Sequence, residues 1–253
     1  VQFGLSIFMI ISILVMREQT SLMVNSEYGF DEENLLVVEL QGSKPEIVAA
    51  EFSKNTAVTA YTFSSHNPAV GRSHGADFQR NEDDERLGLN HFSVDNKYIS
   101  TFGITLLAGR DFEPGDGDGK EKFIILNETA VKAVGFETPH EAIGQEVILN
   151  KENRVQIIGV VKDYHFEPLM KSIEPMALRF MPDSYENINL KISSANVPSA
   201  ISDLQETWKT IDSKRDLKYS FLDQEMDHFY FFLGDITAIV TLFLFPALGC
   251  WAW

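Results

Sequence analysis

Every lysine and arginine of this 253-residue chain lies between Arg17 and Lys218, and the stretches beyond those limits are strongly apolar. Val1 to Met16 reads VQFGLSIFMIISILVM, without an ionisable side chain, and residues 229–253 carry Asp235 alone. A charge at bilayer depth costs roughly 2.5–3.5 kcal/mol on insertion scales, so this distribution predicts two membrane anchors bracketing a water-soluble domain. With a span at each end, everything between sits on one side of a membrane. A spanning helix needs about 20 apolar residues. The first segment has sixteen before Arg17 and reads as the outer end of a helix that begins upstream. The final segment is long enough; Asp235 lies near the interface or faces a helix bundle, and Pro246 is tolerated there. Two rival readings are a signal peptide, which lacks its basic n-region and small-residue cleavage site, and two buried helices of a soluble protein.

The net charge of −16 is carried almost entirely between the anchors. Such acidity disfavours nucleic acid and anionic membrane surfaces, whose recognition needs Lys and Arg. The single cysteine, Cys250, lies in the second anchor, which excludes a disulfide within the chain and a cysteine metal cluster. No GxxxxGK[ST] phosphate loop occurs, so the chain does not hydrolyse ATP by that route. The six histidines show no HExxH spacing; His66 and His74 share a polar loop and form a weak metal-binding candidate. In Asp116-Gly117-Asp118-Gly119 a calcium loop would need a third oxygen ligand where Lys120 stands, so the run reads as a turn.

Periodicity organises the middle. Arg17 to Phe30 reads as a helical stalk stopped at Gly29. Leu35 to Leu40 suits a buried strand, and Ser43-Lys44-Pro45-Glu46 has a capping-box pattern that starts a helix to about Lys54. Val58 to Ser64 returns as a strand. A matching unit follows late in the chain: Ile188, Leu190 and Ile192 alternate, then a helix carries Ile201, Leu204, Trp208 and Ile211 on one face, then Leu217, Tyr219 and Phe221 alternate. Two β-α-β units separated by a long insertion predict an α+β fold: a split, ferredoxin-like subdomain with an inserted, mainly-β subdomain, flanked by two transmembrane helices. The boundaries read as 1–28 for the first helix end and stalk, 30–65 plus 184–223 for the membrane-proximal subdomain, 66–183 for the insertion and 224–253 for the second helix.

Within the insertion, His66 to Asp84 reads as a loop, with Asn67 to Asp84 the candidate partner-contact surface. Leu87 to Val94 alternates, Asp95 to Phe102 is a short helix stopped by Gly103, and Ile104 to Leu107 and Phe123 to Leu126 are strands. Asn127 caps a helix through Val134, Thr138-Pro139-His140-Glu141 repeats the capping box, and Arg154 to Val161 is the most β-prone run. Gly103, Gly109 and Gly159 suit turns or close packing. Arg110-Asp111 suits a structural ion pair or a strand-end bend. Lys162-Asp163-Tyr164-His165 suits strand-end hydrogen bonding, although such a group can also build an acid/base site.

Four of these stretches resemble one family in order and spacing, from about residue 30 to 230. Tyr98 through Phe112 (YISTFGITLLAGRDF), Ile124 through Ala130 (IILNETA), Ala142-Ile143-Gly144 and Ile158 through Phe166 (IGVVKDYHF) are similar to motifs of the MacB-like periplasmic core domain of FtsX-like ABC transporter permeases. The matching positions include Phe102, Gly103, Gly109, Arg110, Asp111, Asn127, Glu128, Gly144, Gly159, Lys162 and Asp163, all with structural roles. The resemblance implies a permease subunit in a bacterial inner membrane with its large domain periplasmic, and further membrane helices downstream. It also implies a separate cytoplasmic ATPase holding ATP and magnesium, no cofactor or catalysis in this chain, and a homodimer or paired permease. An adaptor or substrate protein outside the membrane, and transmission of ATP-driven movement for efflux, lipoprotein release or cell-wall enzyme control, complete the expectation. The rival class is a membrane-tethered sensor with a ligand between two subdomains.

Overall fold

The computed structural model describes residues 27–228 except 118, 151–152 and 194–196, together with positions 4, 7, 8, 11, 12, 14 and 15. In chain order, β1 (Leu35–Glu39), α1 (Pro45–Phe52) and β2 (Val58–Ser64) are followed by β3 (His74–Gln79), β4 (Leu87–Ser93), α2 (Tyr98–Thr101) and β5 (Leu106–Gly109). Next come β6 (Phe123–Asn127), α3 (Glu128–Ala133), α4 (Pro139–Ala142), β7 (Glu146–Leu149), β8 (Asn153–Val161) and β9 (Met176–Arg179). The chain then forms β10 (Asn187–Ile192), α5 (Val197–Ile211) and β11 (Tyr219–Phe221).

Alternation in β1 sends Leu36 and Val38 to a core shared with helices α1 and α5, while Leu35 and Val37 are buried on the opposite face. The surrounding sheet has the order β11-β1-β10-β2, antiparallel at every pairing. Its core takes Val48, Ala49 and Phe52 from α1 and Ala200, Leu204 and Trp208 from α5. The buried stripe of α5 is rotated by one position from the sequence reading. Ala200 is inside and Ile201 is half-exposed, because Leu204 and Trp208 extend to Ala200 at spacing four. The first capping box also fails. Ser43 closes the turn after β1 by donating its N–H to Leu40 O at 2.8 Å, so Lys44 takes the cap position without a side-chain bond and Pro45 opens the helix.

The second sheet runs β5-β8-β6-β9-β4-β3-β7, and β7 pairs with β8 as well. Six strands therefore close into a ring, with β5 lying along the second half of β8. Among the described residues the ring has no free edge, which removes the usual template for edge-to-edge association. Parallel pairs β4–β9 and β6–β8 interrupt the antiparallel pattern. The interior is filled by Phe78, Leu89, Ile124, Leu126, Val147, Leu149, Val155, Ile157 and Val160, with Ala130 and Val131 of α3 against it.

Three further features differ from the sequence reading. Strand β3 lies inside the stretch read as a loop; Ala76 and Phe78 alternate as its buried apolar pair, and the polar residues around them hide the pattern. Strands β7 and β9 have no counterpart in the sequence reading, being four residues each and too short for periodicity to register. Residues 27–30 of the expected stalk are not helical: Gly29 has φ +84° and Tyr28 and Phe30 are buried.

Tyr28–Asp223 is one compact unit. The other unit comprises Val1–Glu27 and Gln224–Trp253; its described positions between 4 and 15 are helical and expose Ile7, Phe8, Ile11, Leu14 and Val15. Among the described residues no helix is long and apolar enough to cross a membrane. The expected spans lie largely outside the described residues.

Gly109 sits where β5 meets β8, at φ +77°, and an added Cβ would overlap the Ile158 carbonyl and approach Ile143 Cδ1 to 2.7 Å. Gly75 has open space around its Cα. Gly109→Ala should lower unfolding free energy by about 3 kcal/mol or more, and Gly75→Ala should change it by less than about 0.5 kcal/mol. Urea denaturation of the two variants checks the contrast.

Candidate functional site

Aromatic residues at positions 28 and 30 create a seat for the chain immediately before β1. Phe30 packs edge-on against Phe102 (6.0 Å between centroids) and Tyr164 (6.1 Å), and Tyr28 lies 5.7 Å from Phe30. Tyr98 and Phe166 extend the cluster behind them. Such pairs add about 0.5–1.5 kcal/mol each beyond their burial. Backbone bonds fix the register: Asp31 N–H donates to Phe102 O at 2.7 Å, and His165 N–H donates to Tyr28 O at 2.8 Å. Gly29 passes so close that a Cβ there would lie 3.0 Å from Tyr164 Cβ, and one at Gly103 would lie 3.5 Å from Asp31 Cβ. On the other side, Lys191 of β10 pairs with Asp31 at 2.6 Å. The segment 28–31 is thus bonded to β10 of the four-stranded sheet and to the residues that follow α2 and β8. The sequence reading placed Phe102 and Gly103 at a helix end but missed their partners. The signal was present as two aromatics flanking a glycine in a polar stretch.

Asp163 follows β8 and accepts from Thr129 N–H at 3.0 Å and Thr129 Oγ at 2.7 Å, while its own N–H donates to Glu128 Oε2 at 3.1 Å. A carboxylate at the first turn of α3 also complements the helix dipole. Asn127 caps the same helix through Ala130 N–H at 2.9 Å, and the same oxygen accepts from Met176 N–H at 2.9 Å. Its amide donates to Glu174 O at 3.0 Å. The run 162–165 therefore disperses: Lys162 N–H bonds Thr105 O, Asp163 serves α3, and Tyr164 is buried in the aromatic seat. His165 has its pKa lowered by burial.

Arg110 does not pair with the Asp111 carboxylate. It donates to Asp116 Oδ2 at 2.7 Å and to the Asp111 carbonyl at 2.9 Å, because the turn over 114–117 folds Asp116 back beneath it. That pairing gives the Asp116 carboxylate of the tempting Asp-Gly run a partner. Asp111 Oδ1 instead accepts from Phe112 N–H at 2.7 Å. Burial, and secondarily the Asp95 charge, push its carboxyl up to about 6, against the Phe112 bond and Arg110. Gly159 lets Arg110 pass: a Cβ there would lie 2.5 Å from Arg110 O. Gly144 lies apart from both groups, its carbonyl accepting from Gln156 Nε2 at 3.1 Å.

The stretch Asn67 to Asp84 is not one continuous surface. Asn67 and Ala69 are buried, β3 occupies its middle, and the exposed residues fall in separate places, at 71–72, on the outer side of β3 and at 81–84. His66 and His74 do meet, with ring centroids 4.3 Å apart, and His91 lies 5.4 Å from His74. Arg179 Nη1 is 3.2 Å from His91 Nε2. Arginine only donates, so Nε2 accepts and the proton sits on Nδ1. That tautomer withdraws His91 from any metal-ligand set.

Two predictions follow from this geometry. Asn127→Ala removes a cap and orphans the buried Met176 N–H, and should cost about 3 kcal/mol by denaturant unfolding, with Asn127→Asp retaining part of it. For Asp111, a folded pKa of about 6 above the ordinary 3.8 means the stability it contributes is present below 3.8 and lost as pH rises through 6. Asp111→Asn, which keeps the acceptor for Phe112, should be more stable than the parent above about pH 6, with the difference vanishing toward about pH 4. Melting curves across that range read it.

Comparison with solved structures places this architecture among external domains of transporters. The periplasmic region of MacB from Actinobacillus actinomycetemcomitans is 20% identical with a TM-score of 0.54, covering 77% of this chain and 91% of that one. The extracellular domain of the ABC-type transporter YknZ from Gram-positive bacteria is 13% identical, TM-score 0.54, covering 74% and 100%. A domain of a putative permease protein from Porphyromonas gingivalis is 13% identical, TM-score 0.52, covering 75% and 89%. No curated protein matches significantly. At these identities the structures speak for the fold. The family assignment comes from the model of the MacB-like periplasmic core domain, which matches residues 4–207, most of the sequence that carries the motifs, the aromatic seat and both sheets; this chain belongs to that family.

Proposed function

We propose that this domain relays ATP-driven movement of an ABC transporter permease to a substrate or partner outside the membrane, without catalysis of its own. The observation that carries the reading is the pairing of the incoming strand with the outgoing one. Strand β1 and strand β11 are antiparallel neighbours, Leu36 opposite Phe221 and Val38 opposite Tyr219. Displacement of one chain end against the other would shear this pair first. The aromatic seat at 28–31 would pass the displacement to the ring of strands, because that segment bonds to β10 and is gripped by Tyr164 and His165 just beyond β8. We read the four-stranded sheet with α1 and α5 as a ferredoxin-like split β-α-β frame, supported by the order β11-β1-β10-β2. The family supplies the remaining proposals: a cytoplasmic ATPase holding ATP and magnesium, a paired permease, two flanking membrane helices and an external adaptor or substrate protein.

A cross-link between the end strands tests this. Glu39 N–H donates to Lys218 O at 3.1 Å and the two exposed side chains form an ion pair at 3.4 Å, so the positions are close and accessible. In a Cys250→Ser background, Glu39→Cys with Lys218→Cys should abolish transporter output on oxidation, leave ATP binding intact and recover with reductant. Output is read as the phenotype that gene deletion produces. Undiminished output with the cross-link formed would sink the relay.

A further inference from the structure

We propose that His66, His74 and His91 form an acid-sensitive latch at the joint where the chain passes from the four-stranded sheet to the ring of strands. The proposal goes beyond the relay and needs only the external location of the domain, which exposes the joint to the pH of the surroundings. Strand β2 ends at Ser64, which bridges to Val94 beyond β4. Ser65 N–H donates to Ser93 O at 2.8 Å, and Ser65 Oγ accepts from Ser93 N–H at 2.9 Å. The same hydroxyl lies 3.0 Å from His66 Nδ1. His66 therefore sits on the bond that fastens the crossing to β4. Its ring meets His74 edge-to-face and stacks at 6.0 Å on Phe92 of β4. His74 stands directly opposite His91 in the β3–β4 register.

Neutral imidazoles can pack this way; charged ones repel. His74, on β3, is exposed to solvent, and a positive charge there opposes a proton on the His66 ring beside it. The charged groups facing the cluster make this worse: Arg72 from the same loop acts on His66, and Arg179 from β9 faces His91. Glu186, ahead of β10, is the carboxylate that opposes them at His66, while Glu121 is occupied by Arg179 at 2.6 Å. Burial first, then the His74 and Arg72 charges, lower the pKa of His66. Burial, Arg179 and the two other histidines take His91 down to about 3. Both bind a proton less readily folded than unfolded. Their contribution to stability is complete above the ordinary value of 6.5 and is lost as pH falls, progressively toward 3 for His91.

Hydrogen–deuterium exchange on the full chain in detergent micelles, at about pH 7.5 and about pH 5.5 and corrected for intrinsic exchange, tests the latch. Peptides covering 64–79 should lose protection by about tenfold at the lower pH while those covering β6 do not. A His66→Gln, His74→Gln double variant should abolish that difference; His74→Gln alone, at the exposed position, serves if the double variant does not fold. His140, His165 and His228 remain in these variants as controls. Unchanged protection in the parent, an equal loss in the variants, or a loss shared by β6 would each overturn the proposal. Because nothing in the measurement depends on transport, its failure leaves the relay reading standing.

Discussion

Hydrogen bonding along one strand organises the larger part of this molecule. Strand β8 pairs with β6 along one edge and with both β7 and β5 along the other, so the ring closes only because β8 is nine residues long and apolar enough to be buried over most of its length. Its glycine, Gly159, admits the backbone of Arg110, and Gly109 of β5 admits the Ile158 carbonyl. Two missing side chains at one crossing allow β5 to lie down where a Cβ would hold it off. The Asp111 carboxyl and the Arg110–Asp116 pair then occupy the turn that this crossing creates.

The end of β8 also leads into the seat for residues 28–31. Asp163 ties it to α3, and Tyr164 and His165 hold Phe30 and Tyr28, so the strand that closes the ring grips the chain just before β1. On the opposite side of the joint, Ser64 and Ser65 are fastened to β4, Thr62 Oγ1 donates to Asp95, and Tyr185 donates to Val94 O at 3.0 Å. The two sheets are thereby held by short-range polar contacts at every crossing of the chain. These contacts, with the grip on residues 28–31, are what the proposed relay would use.

Much of the frame was legible before any coordinates. An apolar run marks β1, strict alternation marks β10 and a β-prone run marks β8, each nearly to the residue, and the Asn127 cap is legible because a side-chain oxygen directly after an apolar run can satisfy a free N–H of a helix's first turn. The motif positions Phe102, Asn127, Glu128 and Asp163 were picked out as structural without their partners. Those partners are remote: Phe102 meets Phe30, and Asp163 meets Thr129, across separations that no local pattern encodes. Local signals misled where two uses competed for one residue. Ser43 was taken by a turn instead of a cap, and Arg110 by Asp116 instead of its neighbour.

Composition and spacing alone determined that the charged part of this chain is an acidic domain without disulfides, built from two β-α-β units around a long insertion, because burial periodicity and charge placement are local properties. Tertiary structure decided the closure of the ring, the docking of Tyr28 and Phe30, and the meeting of His66, His74 and His91. Each depends on pairing between strands far apart in sequence, where β3, β7 and β9 take their shape from neighbours more than from their own residues.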